Sequence, residues 1–152
     1  MNTEHFKSYS IVRNGITIEI DLSRFEKQFK DAQYWLDNQI MTDMVPFMPM
    51  QTGTFINLTR AESAALAGTG TVVAGTPPMG RFLYEGLVMV DPETLSPWAR
   101  PGVAKVLTDR PLNLSSAAHP MATPHWFEAA KDIHGKEWIK GVKERAGGGD
   151  NV

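Results

Sequence analysis

Apolar residues fall at Leu22, Phe25, Phe29, Ala32, Leu36 and Ile40, at the intervals of three and four that an α-helix turns to one side. Tyr34, Trp35, Met41 and Met44 widen that stripe beyond what one small sheet face needs. Pro46 closes the segment, because a proline pushes the residue before it out of helical geometry. Asp21 offers an N-cap, with Ser23 and Glu26 as an alternative capping box. A helix over residues 22–45 is therefore the frame around which the rest of the chain is arranged, and 152 residues suffice for one domain with a real core.

Before that helix, Ser10-Ile11-Val12 and Ile16-Thr17-Ile18-Glu19-Ile20 flank Arg13-Asn14-Gly15, and Asn-Gly is the strongest short hairpin signal. A hairpin over residues 9–20 is expected, with Ile16, Ile18 and Ile20 on one buried face. After the helix, Thr54 to Leu58 and Thr71 to Ala74 read as central strands, with a short helical turn from Ala61 to Ala67 ended by Gly68. Arg81 to Glu85 reads as a helical turn closed by Gly86 in a left-handed cap. Leu87 to Val90 is strand-like and meets a turn at Asp91-Pro92-Glu93-Thr94, with a further short strand from Val103 to Leu107. Pro124 is placed to open a last helix over 124–145, whose apolar side holds Trp126, Phe127, Ala130, Ile133, Trp138, Ile139 and Val142. Residues 147–152 read as a flexible glycine-rich tail behind a single domain over 1–146. The expected fold class is α+β, a small mixed sheet between the long N-terminal helix and the C-terminal helix, with an extended loop or hairpin arm over 87–114.

Bulk numbers narrow the function. Hydrophobic residues at 42% and charged residues at 21% are ordinary for a soluble globular chain. A net charge of -2 argues against a dedicated nucleic-acid binder, though not against a wall that DNA slides past. With no cysteine there is no disulfide, thiolate nucleophile or cysteine-ligated metal. No apolar run approaches the roughly 18 residues of a membrane span, and Met1-Asn2-Thr3-Glu4-His5 lacks a signal core, so a cytoplasmic location is expected.

The residues that could carry chemistry do not assemble into a site. His119, His125 and His134 lie in or near a proline-broken stretch without the carboxylate spacing or the four ligands of structural zinc. Gly68-Thr69-Gly70 and Gly75-Thr76-Pro77 lack the Gly-Lys-Ser/Thr ending of a phosphate loop. Asp91, Glu93 and Asp109 do not match calcium-loop spacing. Ser115-Ser116 near His119 has no acid placed to orient a triad. The reading is no catalytic residue, no cofactor, no metal, and no enzyme.

Three segments in fixed order carry a likeness: Pro49-Met50-Gln51-Thr52-Gly53 after the long helix, Arg81-Phe82-Leu83-Tyr84-Glu85-Gly86, and Pro124-His125-Trp126-Phe127-Glu128-Ala129-Ala130 opening the last helix. Together they resemble the minor capsid proteins of tailed bacteriophages, within the tail-completion and neck protein family. Pro49, Thr52, Gly53, Tyr84, Gly86, Pro124, Trp126 and Phe127 are the motif positions, and the likeness covers about residues 22–143. It implies a structural virion protein at the head-tail junction, present in the host cytoplasm during assembly. Its implied partners are copies of itself in a ring, a hexamer first and a dodecamer second, and other neck proteins on the portal-adaptor and tail-terminator sides. DNA would pass through the lumen unrecognised by sequence, and no membrane is involved. The competing reading is a small non-enzymatic protein-binding module of unrelated function. Interface candidates are Trp98, Arg100 and Leu95 on the arm, with Glu85 and Arg81 at the aromatic turn. The arm is too apolar for a free linker and too rich in proline for a central strand. It either contacts a neighbour or folds back over its own sheet.

Overall fold

The long apolar stripe becomes helix α1, Ser23–Met44, in a computed structural model that describes residues 6–147. Asp21 lies one position before the cap and accepts the Ser23 N–H at 2.9 Å. That bond holds its carboxyl below the usual aspartate range. A 3-10 turn, Val45–Phe47, follows with Pro46 inside it. Helix α2 is Thr54–Leu66, α3 is Gly80–Glu85 and α4 is Trp126–Arg145. The strands are β1, Tyr9–Arg13, β2, Ile16–Ile20, β3, Leu87–Val90, and β4, Val106–Pro111. The fold is α+β and single-domain, with the long helix near its start and α4 near its end.

The core is helical. α1 is deeply covered only from Ala32 onward, through Ala32, Asp37, Met41 and Met44. Met41 and Met44 join Phe47, Met48, Phe55, Ile56, Trp126, Ala130 and Trp138 in one buried cluster. α1 packs chiefly along α4. There the Trp35 indole lies across Gly141, where any β-carbon would overlap it, and the Arg145 guanidinium covers the ring at 4.0 Å. The Trp138 indole N–H donates to Asp43 at 2.7 Å, which ties the two helices by a polar bond as well. Asp37, 3% exposed, accepts the N–H groups of Gly68 and Gly70 at 2.7 and 3.0 Å and so anchors the chain leaving α2 onto α1.

Several expectations need correction. The segment 54–58 is the start of α2, not a strand. Phe55, Ile56, Thr59 and Ser63 are buried at helical spacing. The segment 71–74 is irregular and joins no sheet. The Ser63 hydroxyl bridges the Val73 N–H and C=O at 2.9 and 3.0 Å, and the Thr59 hydroxyl accepts the Thr76 N–H at 3.1 Å. Side chains of α2 thus satisfy a backbone that would otherwise need a strand neighbour. With both segments gone from the sheet, the expected mixed sheet becomes two separate antiparallel pairs, β1-β2 and β3-β4. Finally, Pro124 precedes α4, and the cap is His125 in left-handed backbone at φ 52. From residue 148 on, the expected tail lies outside the described residues, as do residues 1–5.

The first hairpin forms as its turn demands, with Asn14 and Gly15 both at positive φ (54 and 78), the two-residue geometry that matches strand twist. Its register pairs Tyr9 with Ile20, Ile11 with Ile18 and Arg13 with Ile16, so these six side chains share one face. That face is not buried, contrary to the expectation for Ile16, Ile18 and Ile20, because among the described residues no helix or second sheet packs against it. Every residue of both strands is exposed, with Ile16 at 64%.

Candidate assembly surfaces

The three sequence motifs, distant along the chain, meet in space. Gly53 adopts φ 81 as the cap of α2 and turns the chain from the Pro49 segment into that helix. Gly86 ends α3 at φ 64, and a β-carbon there would overlap the Pro124 ring, so the second motif sits directly on the third. The His125 N–H donates to the Tyr84 carbonyl at 2.8 Å. Trp126, wholly buried, donates its indole N–H to the Ala74 carbonyl at 2.8 Å. The rings of Phe55 and Tyr84 meet Trp126 edge-on at 6.0 and 4.8 Å. Trp126 therefore packs against α2, α3 and the 71–76 strap rather than against a sheet. Phe127 is half-buried and stacks on Trp138.

Tyr84 donates its hydroxyl to the Glu128 carboxylate, which joins the second and third motifs again. Burial, and then that carboxylate, push the Tyr84 phenol up beyond its ordinary range. The same bond holds the Glu128 carboxyl below its usual value. Glu85 lies 3.5 Å from the His125 ring, and Arg81 is exposed on the turn.

Above this junction runs a groove of about 370 Å³. Pro49, Thr52 and Phe55 form one side, Met79 and Phe82 another, and Leu112 to Ser115, just past β4, the third. None of the side chains lining it is charged.

The arm over 87–114 is a hairpin closed by a structured loop. β3 and β4 pair from Leu87↔Pro111 to Val90↔Val106 across one irregularity, and the Leu112 N–H returns to the Gly86 carbonyl at 2.7 Å. At the far end Asp91, fully buried, organises the loop. Its carboxylate accepts the N–H groups of Glu93 and Thr94 at 2.9 and 3.2 Å, the Arg100 N–H at 3.2 Å and the Arg100 guanidinium at 2.9 Å. Arg100, then the Glu93 N–H, hold that carboxyl well below the ordinary range. Arg100 also reaches Glu93 at 2.7 Å. Of the arm candidates, Arg100 is thus tied to the loop through Asp91 and Glu93 while its side chain stays 43% exposed. Leu95, at φ 55, and Trp98 point to solvent, 69% and 85% exposed.

The other candidates for chemistry are dispersed. His119 Nδ1 donates to the Met48 carbonyl at 2.8 Å, and His134 lies 3.6 Å from its helix neighbour Glu137. Among the described residues no group of three His, Cys, Asp or Glu side chains is placed to hold a metal ion. Among them, too, no helix is long and apolar enough to cross a membrane. Sequence reasoning missed Asp91 as the organiser of the loop. The available signal was an Asp-Pro-x-Thr turn with an arginine nine residues on. No family model, curated protein or solved structure matches the chain.

Proposed function

We propose that the chain is a structural subunit of a tailed-bacteriophage particle, a neck or tail-completion (minor capsid) protein that joins the portal side of the head to the tail. It works by docking and not by catalysis. Copies assemble into a ring, with six the expected number, between neck proteins above and below, and DNA passes through the lumen without sequence recognition. The observation that carries this reading is the β1-β2 hairpin. Five large apolar side chains, Tyr9, Ile11, Ile16, Ile18 and Ile20, share one face and are each 46–64% exposed, and among the described residues no third strand pairs with either edge. A lone two-stranded hairpin is marginal in water, and an open apolar edge invites aggregation unless a neighbour covers it. Phe25, 49% exposed on the adjoining turn of α1, extends the same need. The likeness of the three motifs to neck proteins supplies the particular assembly, and their convergence around Trp126 gives those motifs a shared structural task.

The test is electron microscopy of the particle that carries this chain, together with particles assembled without it. The expected result is a ring of copies at the head-tail junction, and unjoined filled heads and free tails when the chain is absent. A map that places it elsewhere, or joined particles in its absence, overturns the proposal.

A further inference from the structure

We infer that the Trp98 loop of one copy docks into the uncharged groove of the next copy, so that the arm is the knob and the motif junction is the hole of a head-to-tail contact. The inference rests on the ring reading above and names how its subunits meet.

Trp98 is the most exposed large apolar side chain among the described residues, at 85%, with Leu95 beside it at 69%. Such exposure on a floppy loop would mean little, but this loop is fixed before any partner arrives. The Asp91 carboxylate gathers the backbone of Glu93, Thr94 and Arg100, the Asp91 N–H donates to the Ser96 carbonyl at 2.9 Å, and the Trp98 N–H donates to the Ser96 hydroxyl at 3.1 Å. A pre-organised loop leaves only the indole side chain to be ordered on binding, and tryptophan is among the residues most enriched at interface hot spots.

The groove fits such a guest. Its 370 Å³ is at the lower end of the sizes that enclose small ligands, in keeping with one or two apolar side chains. Its walls are apolar at Phe55, Phe82 and Leu114, while Gln51, Thr52 and Asn113 offer oxygens to an indole N–H. Charge also matches. The groove is lined by uncharged residues, and the loop tip from Thr94 to Ala99 is uncharged in a chain where 21% of residues carry charge. Arg100, next in line, is already neutralised by Asp91 and Glu93. Joining the two surfaces strands no charge away from water, which is the usual condition at an interface centre.

Placement decides for a second copy over the same copy. The groove lies at the root of the β3-β4 hairpin, where α3 enters and Leu112 leaves, and Trp98 lies beyond its tip. The four residues of β3 alone hold them apart by about 13 Å. A rigid arm cannot place its tip in its own root. Knob and hole on opposite ends of one element make a heterologous contact, which propagates from copy to copy and closes into a ring when the rotation allows.

The chain has no cysteine, so introduced thiols report the contact without background. Leu95→Cys marks the knob and Asn113→Cys the rim of the hole, both at exposed positions. Under mild oxidation at high protein concentration, the double variant is expected to give a ladder of covalent multimers. A mixture of the two single variants is expected to give heterodimers and nothing longer. Adding Trp98→Ala to the double variant should lower the yield about thirtyfold, the change carried by a hot-spot residue. The inference is overturned if Leu95→Cys alone dimerises as readily as the mixture, or if Trp98→Ala leaves the ladder unchanged, or if no ladder forms. The two readings fail separately. A ring at the head-tail junction with Trp98 against a different protein sinks this contact alone, whereas a ladder from a chain absent from the junction sinks the proposed function alone.

Discussion

Trp126 joins three parts of the molecule, touching α2 through Phe55, α3 through Tyr84 and the 71–76 strap through its indole N–H. Trp126→Ala is expected to cost about 3–5 kcal/mol, as for a large buried aromatic whose space cannot collapse. Phe127→Ala should cost less, since that ring is only half-buried. Denaturant titration of both variants checks the order, and equal costs would mean that Trp126 is not central. Asp91 gives a pH prediction. Its folded pKa is depressed by Arg100 first, so its contribution to stability is present above the unfolded aspartate value of about 4 and is lost as pH falls through the folded value. The loop should stay closed through neutral and mildly acid solution and open only in strong acid. A carbon-13 titration in which the Asp91 carboxyl protonates near its ordinary value would refute this. Arg100→Ala should speed amide exchange at Glu93 and Thr94 and leave the melting of the helical core unchanged.

Helices with long periodic stripes were legible in the sequence, and short apolar runs were not. α1 matches its 22-residue pattern because Leu36, Ile40 and Met44 repeat over several turns before Pro46. The run from Thr54 to Leu58 is too brief to separate a period of two from one of 3.6. Only the later burial of Thr59 and Ser63, both polar, reveals the helix, and their hydroxyls are inward because they fasten the 71–76 strap. The hairpin was legible as an element from Asn14-Gly15, yet its exposure was not, since alternation tells which side chains share a face and not what covers them. The three motifs were visible as spacing, while the groove that the first two line depends on α3 and residues 112–115 coming together. The β1-β2 face yields a prediction at this scale. Replacing Ile16, Ile18 and Ile20 together by threonine should change the stability of the isolated domain by no more than about 0.5 kcal/mol per site, the usual range for surface positions. The same variant should fail to assemble. A large loss of monomer stability would place the face in the core after all.

Taken whole, the molecule is a helical body with two β-hairpins attached, and the body does not need either of them to bury its centre. The buried cluster and the apolar residues packed on it run from Leu36 to Val72 and Ala74, then through Leu83 and Tyr84 to Trp138; none comes from residues 9–20 or 87–114. β3 and β4 spend their pairing on each other, and the arm meets the rest of the fold mainly through α3. Two segments that are well formed and yet peripheral to the core are poor investments for a protein that acts alone, but suit a subunit whose neighbours complete it. Replacing residues 92–109 by a short Gly-Ser linker is therefore expected to keep the helical circular dichroism and a cooperative melt, because the cluster around Met44, Phe55 and Trp126 is untouched. The same deletion removes Leu95 and Trp98, so on the proposed reading as a neck protein it should abolish joining of heads to tails when the variant replaces the natural chain during particle assembly. Loss of the helical signal would show that the arm supports the body, and normal joining would show that the arm is not a contact.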